Sequence, residues 1–184
     1  MSVRIIAGSL RGRVLKTPEG LSTRPTLARA REAMFSILAG VEGASVLDLY
    51  AGSGALGIES LSRGAERALF VENDRYALDC LRDNVEKLGL GAQTRVFAVS
   101  AEAAPRVLGR DVELDLVFCD PPWPDMDDAL TALAALVPRL RDGARVVLEH
   151  PAKRAVEIAG LAAVDTRRWG DTGATFFELA RSDD

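Results

Sequence analysis

Apolar and polar positions follow two rhythms along this chain. Short, nearly continuous apolar runs stand at Ser45–Leu49, Ala68–Val71, Thr94–Val99, Leu114–Cys119 and Ala144–Glu149. Each reads as a strand, Leu114–Cys119 as a buried one. Between them the apolar residues recur at helical spacing, over Ala55–Ser62, Arg75–Leu88, a short stretch near Ala101–Leu108, and Met126–Leu140. Gly64 and Gly89 end the first two, as glycine does past a helix C-terminus. Strands alternating with helices predict an open, mostly parallel sheet covered on both faces. Ala162–Trp169 and Ala174–Leu179 flank Gly170-Asp171-Thr172-Gly173, which predicts a closing hairpin and an antiparallel sheet edge.

The first part of the chain breaks this alternation. Val3–Ala7 and Arg13–Lys16 are strand-like pieces around Gly8-Ser9-Leu10-Arg11-Gly12, which predicts a small hairpin. Thr23-Arg24-Pro25-Thr26 reads as a turn with Thr26 as N-cap. From Leu27 the pattern is helical, with Ala30, Met34, Ile37 and Leu38 on one face and Gly40 ending it. The expected division is a basic hairpin extension over residues 1–22 and a single domain over 23–184. There is no internal repeat, and the charged Ser182-Asp183-Asp184 tail is the one biased segment.

Composition narrows the chemistry. The 184 residues suit one domain, and 48% apolar content supplies a full core. No apolar run approaches a membrane span, and no signal-peptide core follows Met1-Ser2-Val3-Arg4. Cys80 and Cys119 fit no metal or redox spacing, and His150 is the only histidine, so no metal site is expected. The expected setting is the reducing cytoplasm. The net charge of −4 hides an asymmetry. Residues 1–31 carry Arg4, Arg11, Arg13, Lys16, Arg24, Arg29 and Arg31 against Glu19 alone, a net of +6, so the remainder carries −10. A basic arm on an acidic body is the footprint of a polyanion contact made by one end, although a solvated basic face has the same composition.

Two loops carry the candidate chemistry. Asp120-Pro121-Pro122-Trp123 follows the Leu114–Cys119 strand. Its prolines end the strand and stiffen the loop. The loop offers a carboxylate, a proline carbonyl and an aromatic face, which suits a flat ring bearing an exocyclic amine. The second loop, Tyr50-Ala51-Gly52-Ser53-Gly54-Ala55-Leu56-Gly57, runs from strand to helix, and Gly52, Gly54 and Gly57 fit G-x-G-x-x-G. Glu72 ends the next strand, where an acid can bind ribose hydroxyls. This much also fits a nicotinamide enzyme. Asp48, four residues before Gly52, changes the balance, because a carboxylate there suits a cationic cofactor tail and would repel a pyrophosphate. The residues point to S-adenosylmethionine, with methyl transfer to an aromatic amine by positioning and electrostatics.

The chain resembles the RsmD-type methyltransferases of bacteria, which act on the N2 amine of a guanine in 16S rRNA. The resemblance rests on Arg4-Ile5-Ile6-Ala7-Gly8 with Arg11-Gly12-Arg13, and on Arg24-Pro25-Thr26 with Arg29, Arg31-Glu32 and Phe35. It continues through Leu47–Gly57, Glu59, Ser62-Arg63-Gly64-Ala65, Val71-Glu72 and Asp120–Trp123. It implies a Rossmann-like class I methyltransferase fold, a doubly wound sheet with the small N-terminal hairpin added. Asp48, Tyr50, Gly52, Ser53, Gly54 and Gly57 would hold the methionine moiety and its loop, with Glu72 on the ribose and Asn73 beside the adenine. Asp120, Pro121, Pro122 and Trp123 would hold the target base, and the arm's arginines and Lys16 would take phosphates. Two positions depart from the family pattern. Trp123 stands where Phe or Tyr is usual, which preserves stacking, and Ser100-Ala101 stands where Asp or Asn is usual, leaving backbone atoms for the adenine.

The expected partner is 16S rRNA within an assembled or partly assembled small subunit, met by a monomer and away from membranes. Two other readings stay open on the residues. One is a nucleic-acid amino-methyltransferase acting on adenine N6 or cytosine N4, and the other is an RNA-binding protein without catalysis.

Overall fold

The computed structural model describes residues 3–18, 25–109 and 111–179, with side chains from residue 29 onward in the second stretch. Arg24, its turn and the Ser182–Asp184 tail lie outside them. Strands β1 (Val3–Arg4) and β2 (Val14–Leu15) form the antiparallel hairpin, and helix α1 (Pro25–Ile37) follows. Then come β3 (Ser45–Leu49), α2 (Ala55–Ser62), β4 (Arg67–Glu72), α3 (Arg75–Lys87), β5 (Thr94–Ala98), α4 (Ala104–Val107) and β6 (Leu114–Cys119). Helix α5 (Met126–Leu136) and strands β7 (Leu140–Pro151), β8 (Leu161–Trp169) and β9 (Thr172–Leu179) complete the domain.

The main sheet has the order β5-β4-β3-β6-β7-β9-β8, parallel through β7 and antiparallel at β9 and β8. The order reverses between β3 and β6, and ligands in such sheets sit outside the C-terminal strand ends at that switch point. Side chains alternate across the sheet. Val46, Phe70, Phe118 and Val147 join α1, α2 and the hairpin on one face, while Leu47, Val71, Val117 and Leu148 join α4 and α5 on the other.

Several boundaries differ from the sequence expectation. Helix α5 stops at Leu136 rather than Leu140, because Pro138 cannot donate an intrahelical hydrogen bond and the chain tightens to a 3-10 turn. Strand β7 starts at Leu140, four residues before the apolar run, pairing Leu140 with Leu114 across a register shift. The closing turn is only Gly170-Asp171, since Trp169 pairs with Thr172 and Gly173 already lies in β9. Helix α1 begins at Pro25, one residue before the expected cap.

The hairpin is bound to the domain rather than appended to it. Ile5 and Leu15 are buried in the same cluster as Met34 and Phe118, a burial worth about 1.5–3 kcal/mol for each large side chain. Glu59, wholly buried in α2, accepts from the backbone N–H of Ile6 at 2.7 Å and Ala7 at 3.0 Å, and from Arg63 Nε at 2.8 Å. A Cβ on Gly8 would stand 1.6 Å from the Ser62 carbonyl oxygen, and its φ of +81° lies in the left-handed region, so only glycine fits this approach.

Candidate active site

The C-terminal strand ends open on one cleft of about 1570 Å³. That exceeds the roughly 300–1,000 Å³ of a single small-molecule site, so there is room for a cofactor and a second group. Tyr50, Gly52, Glu72 and Asn73 line one part of it; Asp120, Pro121, Pro122 and Trp123 line the adjoining part.

On the β3–β4 side the chain is held by its own backbone. Tyr50 (φ 58°), Gly52 (φ 56°) and Gly54 (φ 84°) take left-handed conformations, which wrap the loop tightly into α2. A Cβ on Gly52 would meet nothing within 4 Å, so the loop faces open space there. A Cβ on Gly57 would strike the Phe70 ring at 2.3 Å, which explains the third glycine by helix–strand contact. Glu72 Oε2 accepts from Gly52 N at 2.7 Å, and its Oε1 accepts from Asn73 N and Asp74 N, both at 2.8 Å. Three charge-assisted bonds fix this carboxylate at the cleft wall.

Asp48 is placed differently from the sequence expectation. It is 2% exposed and lies beneath the loop, outside the cleft wall, where its Oδ2 accepts from Gly57 N at 2.9 Å. It caps a donor in the first turn of α2. Burial pushes its pKa up to about 8; the Gly57 N–H opposes the rise, and the charges of Asp120 and Glu72 add to it. Ser53, Gly54, Gly57, Ser100 and Ala101 also stand outside the wall, and Ala101 is buried.

On the β6–β7 side the acids lack internal donors. Asp120 is exposed at the cleft lip, and no described residue donates to it. Desolvation by the protein on its other sides raises its pKa to about 6. Trp123 is 52% exposed beside it, at the start of a 3-10 turn held by the Asp125 N–H to Pro122 carbonyl bond. Burial holds the Cys119 thiol well above its usual range, so it stays protonated.

Sequence reasoning missed Glu149, His150 and the Trp169–Thr172 turn, which form the far wall. Burial, then the charge of Asp120, pushes the Glu149 pKa well up, while Arg31 pulls it down. The His150 ring bonds the Pro151 carbonyl through Nδ1 and Thr175 Oγ1 through Nε2, each at 2.9 Å. A carbonyl can only accept, so Nδ1 carries a proton, while the Thr175 hydroxyl can donate to or accept from Nε2. His150 sits near the strand end, as expected, and ties β7 to β9.

The basic arm divides. Arg4, Arg11, Arg13 and Arg29 are exposed. Lys16 lines the cleft but is paired with Asp83. Arg31 does not join the surface arm: it is half-buried, donates to the Arg4 carbonyl at 2.6 Å, and leaves its Nε without a partner. Among the described residues no group of three or more His, Cys, Asp and Glu side chains is arranged to hold a metal, and no helix is long and apolar enough to cross a membrane.

Comparison with known proteins agrees with this geometry. Residues 3–178 match the family model described as "Conserved hypothetical protein 95". The chain is 35% identical to the Bacillus subtilis protein named "Putative rRNA methyltransferase YlbH", over 96% of this chain and 98% of that one. It is 42% identical to the Escherichia coli "Ribosomal RNA small subunit methyltransferase D" over 66% of this chain and 60% of the relative. A solved structure titled "Putative methyltransferase yhhF from Escherichia coli" superposes with a TM-score of 0.84 at 31% identity, over 97% of this chain and 98% of that one. A glycine loop on open space and a proline loop with free acceptors, set side by side at the switch point of this sheet, are what that kinship leads one to find: the chain belongs to the RsmD-type family of bacterial rRNA methyltransferases, whose cofactor is S-adenosylmethionine.

Proposed function

We propose that this protein transfers the methyl group of S-adenosylmethionine to the exocyclic N2 amine of a guanine in 16S rRNA. The observation that carries the reading is Asp120. It is a carboxylate at a strand end with no donor among the described residues, beside a rigid proline carbonyl and an exposed indole. An aromatic amine supplies the two N–H donors this loop lacks.

The remaining residues fit the cofactor. The open space over Gly52 admits it, and Glu72, already fixed by three backbone N–H groups, keeps lone pairs for ribose hydroxyls. Asn73 lies beside Glu72 on the same wall for the adenine. Asp48 and Glu72 place acidic groups where a cationic sulfonium and ammonium would lie, and a bound cation would offset the burial and repulsion that raise the Asp48 pKa. Asp48 acts there from beneath the loop it holds in shape, through Gly57.

Bound S-adenosylmethionine supplies an electrophilic methyl on sulfur. Asp120 and the Pro121 carbonyl orient the amine, turning its lone pair toward the methyl. Trp123 stacks on the base and resists its rotation. When the nitrogen gains the methyl it must lose a proton. Asp120, with a pKa near 6 and open to solvent, can take that proton and pass it to water. Arg4, Arg11, Arg13 and Arg29 stand exposed to meet phosphates, which hold the RNA without reading it. Work on that RNA would be cytoplasmic.

The test is mass spectrometry of rRNA from cells with and without the protein. One N2-methylguanosine of the small-subunit RNA should disappear with it. Loss of an N6-methyladenosine or N4-methylcytosine instead would replace the guanine reading, and purified duplex DNA serves as the control substrate.

A further inference from the structure

Glu149 is a buried acid that the chemistry above leaves unused. It is 8% exposed, lines the cleft, and among the described residues receives no hydrogen bond. A largely buried ionisable group without a protein donor is costly, so such groups are normally paired with protein, water or a ligand. Its free oxygens, set in a cleft wall, call for donors brought by a ligand.

The register shows which ligand atoms it could meet. Cys119 of β6 pairs with Leu148 of β7, so Asp120 and Glu149 are the next neighbours on adjacent parallel strands. Adjacent strands run about 4.8 Å apart. Phe118 and Val147 face the cluster that contains α1 and α2, whereas Cys119 and Leu148 face the other cluster. By the alternation of a strand, Asp120 and Glu149 therefore leave the sheet on the same side as Phe118 and Val147. The cleft thus holds two acceptor groups side by side, one at the lip and one inside. Burial and the charge of Asp120 raise the Glu149 pKa; Arg31 opposes that rise, and a donor brought by a ligand would add to Arg31 in favouring the acceptor form.

Guanine presents two adjacent donors, N1–H and the N2 amine. Adenine places the N1 lone pair beside its N6 amine, and cytosine places the N3 lone pair beside its N4 amine. A carboxylate next to the amine site would accept from the first base and repel the other two. We propose that Glu149 accepts the N1–H of the target guanine while Asp120 holds its N2 amine, and that this pair of carboxylates selects guanine over adenine and cytosine. The inference rests on the guanine-N2 reading above.

The test uses full-length protein, S-adenosylmethionine, and small ribosomal subunits from cells lacking the protein. Glu149→Gln keeps the side-chain shape. Its amide oxygen can still accept, but without the charge, so kcat/KM on these subunits should fall roughly 10-fold, while the calorimetric affinity for S-adenosylmethionine stays within about twofold. A second measurement separates recognition from structural damage. Once the methylated guanosine is mapped, subunits are reconstituted with 2-aminopurine at that position, which keeps the amine but has a lone pair at N1. Wild type should prefer guanine, and Glu149→Gln, whose amide can donate to that lone pair, should narrow the preference at least tenfold. Structural damage would lower both rates together and leave the ratio unchanged. An unchanged ratio, or an unchanged kcat/KM, overturns the role of Glu149 while wild type still makes N2-methylguanosine. A wild-type product other than N2-methylguanosine overturns the guanine reading and this inference with it.

Discussion

The two halves of the cleft treat their carboxylates in opposite ways. On the β3–β4 side Glu72 accepts three backbone N–H groups and Asp48 accepts one. On the β6–β7 side Asp120 and Glu149 accept none from the described residues. In the proposed function the first half is a preformed mould, in which the acids hold the loop that would face the cofactor, and the second half keeps its acceptor capacity for a substrate rich in donors. Internal hydrogen bonding thus separates groups that build the site from groups that await a ligand. The basic arm follows the same division, with Lys16 paired to Asp83 and Arg11 and Arg13 exposed.

The sharpest way to break this contrast is Asp120→Ala. Turnover should fall about 10²–10³-fold, the usual effect of removing one oriented polar group. Affinity for S-adenosylmethionine should hold within about twofold, and the melting temperature should hold or rise, because no internal bond is lost and a like charge near Asp48 and Glu149 is removed. A lowered melting temperature would mean that Asp120 builds the site rather than awaiting its substrate.

Glu72→Ala should do the reverse. It orphans three backbone donors, so the melting temperature should drop, and cofactor affinity should weaken roughly 10- to 100-fold, equivalent to about 1.4–2.8 kcal/mol. Calorimetry and a thermal melt on the same sample check both. Unchanged stability would put Glu72 in the class of Asp120.

The pH dependence probes the mould more gently. Burial raises the Asp48 pKa from 3.8 to about 8 in the folded protein. The folded state therefore holds this proton more tightly than the unfolded chain does. The associated stability is fully present below about pH 4 and is lost as pH rises through about 8, by up to about 1.4 kcal/mol per pH unit from this one group. Cofactor-free protein should become easier to melt across that window. Asp48→Asn, which still accepts from Gly57, should flatten the dependence, and a cationic ligand should flatten it too. An equally steep curve in the variant would assign the slope elsewhere.

The smallest effect is expected at the arm. Replacing Arg11 and Arg13 with Ser should leave melting and cofactor affinity unchanged and reduce the salt slope of binding to small subunits by up to about two units. Loss of the whole hairpin is a different experiment, because Ile5, Leu15 and the Glu59 bonds tie it to the core. An unchanged slope in the double variant would make these arginines a solvated face.

Much of this is legible in the sequence alone. Strands β3 and β6 and helix α2 begin and end where the apolar pattern places them. Both loops were recognisable because glycine and proline act on the backbone at their own positions. The errors have local causes as well: Pro138 shortened α5, and the polar Arg141-Asp142-Gly143 concealed the first part of β7. Glu149 was overlooked because a single acid in an apolar strand gives no signal of its own, and Glu59 because helix α2 shows nothing of the hairpin laid on it.

The amino-acid sequence by itself determined the alternation of strands and helices, the glycine and proline loops and the acidic character of the cleft, since these follow from residue chemistry and short-range spacing. Tertiary structure alone decided which acid meets which donor. It sent Asp48 beneath the loop, fixed Glu72 to three N–H groups, withdrew Arg31 from the surface, and set Glu149 beside Asp120. Those pairings depend on strand register and helix docking between segments far apart in the chain, and a hydrogen bond exists only where folding brings donor and acceptor within about 3 Å.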